Sequence, residues 1–489
     1  MLYERADTEH MYQKAHLLRG LIAADQGKSD EAIREAREAI QHDQKYALTH
    51  NGLGYILYEQ DKLPEAAAEF QRATQLDPKF TSACVNLGSV LMKQRRLDDS
   101  VAQLQKCVRT DPTYAVGHIA LGVAFKQQHR LDQAAAEYQI AISLEPRLSV
   151  SHSALGALLG ERHELDDALA EDRRAIFLDP TSAAPHNNLG NVFDDQYKFD
   201  EASAEYQTSI QLDPKLAFPH DGLGWVLLAQ HKSAEAADEF RRAIQLDPLF
   251  VPAHVGLGYY WMSQYKWDEA ATEFRQAIQA DPLLARPHHG LGLVLMSQHK
   301  SAEAADEFRR AIQLDQLFAD PHAGLGFYWV ERRNFDQAGT EFGRAIQLDP
   351  LLAMPHDGMG QALGLQGKLV EAATEFGKAI RLDPSYANPH VHLGYDLLSQ
   401  RRLSEAAAEF RKGMQLDPLY ASAHVGLGLD LVMQSKLDEA VAEFRQASQL
   451  DPLLADPHYG LATVFKREGK LVESSQEFKI AHQLSPNDF

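Results

Sequence analysis

Apolar residues in this chain recur at helical spacing. In the segment EAAAEFQRATQLD, residues 65–77, Ala66, Phe70 and Ala73 fall at i, i+4 and i+7 and form one apolar stripe. The preceding segment LTHNGLGYILYEQ, residues 48–60, is interpreted as a second, more apolar helix. The pattern therefore predicts a pair of helices joined by a short turn, and Pro78 ends the second helix.

The helix pair recurs every 34 residues. Proline at 78 returns at this interval through 486 except at Gln316, and glycine at 20 returns through 428, with Ala462 next in that series. The segment HKSAEAADEFRRAIQLD occurs twice, at 231–247 and at 299–315, two periods apart. Self-similarity at a fixed period of this size indicates a repeat architecture.

Within each unit, given positions carry the same type of residue. With Gly20 at position 8, leucine is usual at position 7, alanine at positions 20 and 27, an aromatic residue at position 24 and proline at position 32. This arrangement resembles the tetratricopeptide repeat over 476 of the 489 residues. The resemblance implies an all-α fold, an α-α superhelix of about fourteen helix-turn-helix repeats, each with a helix A followed by a helix B.

The predicted organisation is an N-terminal extension at 1–12 followed by one superhelical domain at 13–488. Each unit is expected to contact chiefly its neighbours, because a single helix pair cannot bury its apolar face alone. Units one to fourteen span 13–46, 47–80, 81–114, 115–148, 149–182, 183–216, 217–250, 251–284, 285–318, 319–352, 353–386, 387–420, 421–454 and 455–488.

Charge and composition narrow the function classes. Lys and Arg number 48 against 69 Asp and Glu, so the net charge is −21, which disfavours nucleic acid and anionic lipid as partners. We see no signal peptide and no apolar run that could span a membrane, and we expect a cytoplasmic protein without a membrane partner. The two cysteines, Cys84 and Cys107, are too few for a disulfide framework and form no CxxC metal pair.

Histidine occupies position 4 in every unit except the third, which has Cys84. We predict that these imidazoles pack at a helix–helix seam with one hydrogen bond each. Metal binding is disfavoured, because equivalent residues of successive repeats lie roughly 10 Å apart, whereas zinc ligands lie about 2 Å from the metal. A second hypothesis is pH sensing, since a free imidazole titrates near pH ~6.5. The series is His16, His50, His118, His152, His186, His220, His254, His288, His322, His356, His390, His424 and His458.

The sequence contains no motif typical of catalysis. The recurring Gly-Leu-Gly falls inside helix A and not after a strand, so it is not a dinucleotide-binding loop. We find no phosphate-binding G-x-x-x-x-G-K-[ST] loop, no H-E-x-x-H zinc motif and no G-x-S-x-G nucleophile turn. We therefore predict a protein that is not an enzyme and that uses no cofactor and no metal.

The candidate binding site lies on helix A. In the family, positions 2, 5, 9 and 12 of helix A line an inner groove, and here positions 9 and 12 often hold aromatic residues or methionine. Such residues anchor interfaces, although an aromatic stripe on a helix is as often part of the core. Glycine at position 6 is also expected to leave helix backbone open to a peptide. The predicted peptide-binding residues are Tyr55, Tyr58, Trp225, Tyr259, Met262, Met296, Phe327 and Tyr395.

Two specialised family functions do not fit the sequence. No three consecutive units supply the lysine, asparagine and arginine set that clamps the carboxylate terminus of chaperones. The asparagine ladder of O-GlcNAc transferases is matched only by Asn86 and Asn188.

The predicted function is a non-enzymatic scaffold that binds extended or helical peptide segments of partner proteins in this groove. Two alternatives stay open: a targeting or regulatory subunit of a separate enzyme such as a glycosyltransferase, and a consensus-like structural array. Ser474 and Ser475 replace alanine in the last helix, and we expect weak self-association through this C-terminal end.

Overall fold

The computed structural model describes residues 2–485, with side chains described from residue 11 onward. These residues form 28 α-helices and no strand, two helices for each predicted unit. The predicted all-α array of helix-turn-helix repeats is therefore confirmed. Residues 486–488, the predicted end of unit fourteen with its proline, lie outside the described part of the chain.

The chain divides into two compact units, Met1–Pro248 and Leu249–Phe489. In the first, helix α1 begins at Leu2 and runs through the extension predicted at 1–12. Its helices are α1 (Leu2–Asp25), α2 (Ser29–His42), α3 (Ala47–Glu59), α4 (Leu63–Leu76), α5 (Thr81–Lys93), α6 (Leu97–Thr110), α7 (Ala115–Gln127), α8 (Leu131–Leu144), α9 (Ser149–Glu161), α10 (Leu165–Leu178), α11 (Ala183–Asp195), α12 (Phe199–Leu212), α13 (Ala217–Ala229) and α14 (Ser233–Leu246).

The second compact unit continues the same alternation, with odd-numbered helices as helix A and even-numbered helices as helix B. Its helices are α15 (Val251–Ser263), α16 (Trp267–Ala280), α17 (Ala285–Ser297), α18 (Ser301–Leu314), α19 (Asp320–Glu331), α20 (Phe335–Leu348), α21 (Ala353–Leu365), α22 (Leu369–Leu382), α23 (Asn388–Ser399), α24 (Leu403–Leu416), α25 (Ala421–Met433), α26 (Leu437–Leu450), α27 (Asp456–Arg467) and α28 (Leu471–Leu484).

The aromatic residue at position 24 fills the space between two successive A helices. The Phe308 ring on α18 is fully buried. A Cβ atom added to Gly292 on α17 would lie 2.5 Å from this ring, and one added to Gly324 on α19 would lie 2.6 Å from it. Small residues therefore let the helices approach, as predicted, and the ring supplies the buried apolar surface that holds two repeats together.

The expectation that position-6 glycines open the backbone to a ligand is wrong at these seams. Gly290, Gly324 and Gly358 each face the aromatic ring of the preceding repeat, and a Cβ there would lie 2.2–2.6 Å from a ring atom. The absent side chain makes room for that ring, so this side of the glycine is already occupied by the protein itself.

A residue with left-handed backbone follows helix A in all fourteen repeats. Glycine takes this place at Gly27, Gly367 and Gly469, with φ of 73°, 77° and 79°. Eleven other turns place a non-glycine residue there, with φ between 56° and 63°. Because this conformation costs an L-residue about 1–2 kcal/mol, helix packing rather than turn preference holds most of these turns.

Cys84 on α5 and Cys107 on α6 form a disulfide within the third repeat. Counting the cysteines did not predict this pairing. Positions 4 and 27 face each other across the helix pair, and the two Cα atoms are 5.8 Å apart. A disulfide that closes a loop of this length stabilises a fold by about 3 kcal/mol.

Candidate functional site

The position-4 histidines join helix A to helix B of the same repeat. In thirteen repeats Nδ1 is hydrogen-bonded, at 2.6–2.7 Å, to Oε2 of a glutamate 19 residues later. In one example, His220 on α13 meets Glu239 on α14 at 2.6 Å. The predicted seam packing is confirmed, but three of the imidazoles make a second hydrogen bond, from Nε2 to a backbone carbonyl, where one was predicted: His50, His118 and His152. Sequence reasoning missed the glutamate, although its recurrence at position 23 is visible in the sequence.

The third repeat exchanges both members of this pair. It has Cys84 in place of histidine and Gln103 in place of glutamate, and the Gln103 amide donates to the Cys84 Sγ at 3.1 Å. Because the two positions change together, the contact acts as one structural element. Within residues 11–485, no group of three or more His, Cys, Asp or Glu could hold a metal ion. The pH-sensing hypothesis stays a prediction.

The predicted aromatic residues at position 9 pack against the core. Trp225 lies edge-to-face on Phe240, with ring centroids 5.6 Å apart, and each aromatic side chain at position 9 other than Tyr55 remains half-buried. These residues therefore pack against the core and keep a partly exposed face, and their role in peptide binding stays a prediction. The same contact occurs for Tyr259 on Phe274, Phe327 on Phe342 and Tyr395 on Phe410, at 5.4, 5.2 and 5.1 Å.

Burial raises the pKa of the hydroxyl group in two of these residues, Tyr259 and Tyr395. Burial raises the pKa of Tyr259 to about 12, and Arg286 partly opposes this shift. The Tyr395 hydroxyl donates to the Ser422 carbonyl at 2.8 Å, and burial raises its pKa as well. The Tyr395 hydroxyl is thus used inside the fold, which leaves mainly ring surface for a ligand.

The remaining predicted residues differ in exposure. Tyr55 is 46% exposed, and its pKa is raised by the neighbouring Glu59 carboxylate and, to a lesser degree, by burial. Tyr58 is half-buried, with the Lys93 ammonium 4.9 Å from its ring centroid. Met262 on α15 is also half-buried.

Met296 and Phe327 come together in a cavity of about 430 Å³ formed by α17, α19 and α21. Val330, Gln361 and Leu365 complete its floor and walls. We call it the apolar cavity. The cavity is lined by position 12 of one repeat and by positions 9 and 12 of the next. A binding face on helix A requires that these positions of successive repeats lie side by side. Polar residues at its rim are His299, Ser301, Glu331 and Arg333.

A second cavity, of about 370 Å³, lies on the helix A side of α7, α9 and α11 in the first compact unit. We call it the polar cavity. Gly156 and the asparagines Asn187, Asn188 and Asn191 line it. Its titratable lining residues are Lys126, Glu161, His163 and Asp195, and the His163 imidazole lies 3.9 Å from the Asp195 carboxylate.

Asp172 lies beside the polar cavity at position 24, where most repeats have an aromatic ring. It is fully buried, and the Asn188 amide donates to its Oδ1 at 2.9 Å. Burial raises the pKa of Asp172 to about 8, although the hydrogen bond from Asn188 opposes the shift. Sequence reasoning missed this residue, although the aromatic series visibly breaks at 172.

A buried histidine–aspartate pair lies next to the apolar cavity. His392 Nδ1 is 2.8 Å from Asp357 Oδ1, and its Nε2 is 3.4 Å from the Gln361 amide nitrogen. Burial opposes protonation of His392, but the Asp357 carboxylate outweighs it and raises the pKa of the imidazole. The pair meets an amide and not a nucleophile, so its geometry suits a structural hydrogen-bond network better than catalysis.

Comparisons with known proteins agree with this architecture. The sequence profile described as "Tetratricopeptide repeat" matches residues 17–79, 85–149 and 222–285, and one described as "TPR repeat" matches 428–469. No curated protein matches the sequence significantly. Across residues 2–485, no helix is long and apolar enough to cross a membrane.

A solved chain with a similar fold comes from the crystal structure of the APC/C hetero-tetramer Cut9-Hcn1. The match has a TM-score of 0.55 at 14% sequence identity and covers 98% of this chain and 94% of that one. At this identity the likeness concerns the fold alone. The profile matches, the 28 paired helices and the residues that fill their seams together show that this chain belongs to the tetratricopeptide repeat family.

Proposed function

We propose that this protein is a non-enzymatic scaffold that binds peptide segments of partner proteins on its helix A face. Repeats of this family generally serve as protein-interaction scaffolds. The observation that carries the proposal is the apolar cavity, where Met296 and Phe327 from successive repeats line one space.

The apolar cavity has the composition of an interface anchor point. Its lining combines apolar side chains with the charged Glu331 and Arg333, and protein interfaces also combine apolar and polar surface. Burying one apolar side chain of a partner there would contribute about 1.5–3 kcal/mol. Peptide binding therefore needs several such contacts along successive A helices, and the repeated positions 9 and 12 provide them.

A display library of random 12-residue peptides tests this proposal. The full chain is panned beside a double variant, Met296→Lys with Phe327→Asn, which places residues there that the chain already carries at the same repeat positions, Lys126 and Asn191. We expect peptides selected on the wild type to bind the variant at least tenfold more weakly. The matched control is Leu351→Lys, a 77% exposed residue between α20 and α21 that does not line the cavity.

Circular dichroism and the thermal midpoint establish that the double variant is folded. Equal affinity of the selected peptides for wild type and double variant would contradict the assignment of binding to this face. Loss of binding in the Leu351→Lys control would contradict it as well.

We also propose weak self-association through α28. Leu471 and Val472 on this helix are 68% and 69% exposed, and Phe478 is 45% exposed, so apolar surface is available for a second copy. Sedimentation velocity should show concentration-dependent association that Leu471→Gln with Val472→Gln removes. A monomer at every concentration would contradict this part of the proposal.

A further inference from the structure

One contact in the second compact unit joins repeats that are not neighbours. The Tyr265 hydroxyl donates to Asp417 Oδ2 at 2.6 Å, although the two residues are 152 positions apart in the sequence. Tyr265 lies in the turn between α15 and α16 of repeat eight, and Asp417 follows α24 of repeat twelve. The contact therefore skips repeats nine, ten and eleven, whereas a repeat in such an array usually contacts only its neighbours.

Both sides of this contact are less exposed than their counterparts in other repeats. Tyr197 holds the same position 15 in repeat six and also packs on an aromatic ring of its own repeat, yet it is 81% exposed against 37% for Tyr265. Leu419, two residues after Asp417, is 47% exposed, whereas Leu351 at the same position of repeat ten is 77% exposed. Burial and the bond to Asp417 also raise the pKa of the Tyr265 hydroxyl.

The stack of repeats eight to twelve curves with its A helices on the inside. Successive A helices contact each other from α15 to α23, whereas successive B helices from α16 to α24 do not contact each other in the described structure. A curved stack brings together the elements on its inner side. Because the Tyr265–Asp417 contact joins the two ends of this stack, the helix A face of the repeats between them is enclosed.

The apolar cavity belongs to this enclosed part of the helix A face. It is formed by α17, α19 and α21, which are the A helices of the three skipped repeats. A peptide side chain in the cavity would therefore lie inside the turn that the Tyr265–Asp417 contact closes.

The junction is small enough to open without unfolding a repeat. In the described part of the chain, neither helix of repeat eight packs against a helix of repeat twelve, so the two repeats meet through side chains of a turn and a loop. The hydrogen bond is exposed to solvent, and water can replace either partner. The seams between adjacent repeats are instead filled by buried rings such as Phe308. Opening therefore separates the two ends and leaves each helix pair intact.

We propose that Tyr265 and Asp417 form a clasp that closes repeats eight to twelve around a peptide on the helix A face. This inference rests on the proposed peptide-binding function and adds the step that controls entry and release. The clasp opens to admit the peptide, closes, and must open again before the peptide leaves. Because it closes in the same way with and without the peptide, its loss speeds both steps and changes the affinity little.

The variant Tyr265→Ser removes the clasp with a residue that this turn already accepts. Ser435 occupies position 15 in repeat thirteen, with φ of 63° against 56° for Tyr265. The matched control is Tyr197→Ser, which removes an exposed tyrosine from the same position, where the described ring contact is to Phe199 of the same repeat.

Distance measurements between two spin labels test the clasp itself, in the absence of peptide. The labels are attached through Glu269→Cys and Lys412→Cys, both at exposed positions of the full chain, whose own two cysteines are joined in the disulfide. We expect one main distance in the wild-type background and in the Tyr197→Ser control. In Tyr265→Ser, the fraction of longer distances should rise at least threefold. The same distance distribution in all three proteins would overturn the proposal.

Stopped-flow kinetics with a peptide selected on the wild type from the random library test the control of entry and release. In Tyr265→Ser, we expect the association and dissociation rate constants each to rise at least threefold, with Kd within twofold of the wild-type value. The Tyr197→Ser control should keep the wild-type rate constants. Unchanged rate constants in Tyr265→Ser would overturn the proposal even if the distances lengthen.

The two measurements separate this inference from the function on which it rests. Unchanged distances or unchanged rate constants would overturn the clasp and leave peptide binding intact. A library that yields no peptide on the wild type would overturn peptide binding, and the proposed control of entry and release with it.

Discussion

The polar and apolar cavities occupy the same side of helix A but carry different residues at positions 9 and 12. Position 9 is Asn191 in the former and Phe327 in the latter, and position 12 is Lys126 or Met296. The helix pairs that carry these residues are otherwise alike in length and in the left-handed turn between A and B. Side chains at a few helix A positions therefore change the surface that a repeat presents while the backbone stays the same.

The two regions also differ at position 24, beneath the helix A face. The seam below the apolar cavity is filled by Phe342, which is fully buried, whereas Asp172 takes the equivalent place beside the polar cavity. A ring at this position supplies stabilising apolar contacts, whereas the buried Asp172 carboxyl costs stability, and its pKa of about 8 keeps it mostly protonated at neutral pH. The comparison indicates that the array tolerates a polar seam where the neighbouring repeats are packed by aromatic rings.

Replacing a buried position-24 ring by aspartate is expected to have the largest effect on stability. Phe308→Asp removes a fully buried ring and leaves a carboxylate between Gly292 and Gly324 with no asparagine nearby to replace Asn188. We expect the free energy of unfolding to fall by about 4 kcal/mol or more, measured by urea denaturation. A loss below about 1 kcal/mol would show that position 24 does not control the seam and would remove the basis of the comparison.

The pH dependence of Asp172→Asn isolates the contribution of the carboxylate. The folded pKa is about 8, above the value of about 3.9 for an unfolded aspartate. Between these values the folded state keeps a proton that the unfolded state has lost, so the wild type becomes less stable as pH rises from about 4 to about 8. The variant lacks this titration and should gain a few kcal/mol over the wild type across that range.

Urea unfolding of both proteins at pH ~5 and pH ~8.5 measures how the difference between their unfolding free energies grows with pH. The lower pH lies within the titration range of Asp172 and the higher pH lies above it. Other charged groups near Asp172, namely Glu171, Glu161, Asp195, Asp194 and Lys126, are identical in the two proteins and cancel in the comparison. A stability difference that stays constant with pH would contradict a raised pKa at this seam.

Breaking the histidine–glutamate pair should have a smaller effect, similar in both regions. His186 on α11, which lines the polar cavity, and His322 on α19, which lines the apolar cavity, each lie 2.7 Å from their glutamates. Replacing either with alanine should lower the unfolding free energy by about 1–3 kcal/mol. Unequal losses would mean that the two regions differ in their helix pairing as well as in their binding surface.

The fold could be predicted from the sequence because each structural requirement recurs at a fixed interval. Gly292, Phe308 and their equivalents return every 34 residues, so the period reports the packing directly. The period does not show which of these residues touch. It therefore does not reveal that a position-6 glycine such as Gly324 faces the Phe308 ring of the preceding repeat.

The candidate site was predictable only in part for the same reason. Positions 9 and 12 follow from the resemblance to the tetratricopeptide repeat, and Met296 and Phe327 do share a cavity. Asp172, Cys84 and Cys107 differ from the residues that recur at their positions. The repeat pattern predicts roles only for the recurring residues, so it predicts none for these three. Their partners become visible only when helices A and B are placed side by side in three dimensions.

Photo-crosslinking tests the central claim, that the helix A face holds the partner peptide, most directly. A peptide selected on the wild type is synthesised with a photoreactive residue at its apolar position and irradiated in complex with the full chain. We predict crosslinks to α17 and α19, at or beside Met296 and Phe327. Crosslinks confined to exposed helix B residues such as Val370, which is 83% exposed, would contradict the account.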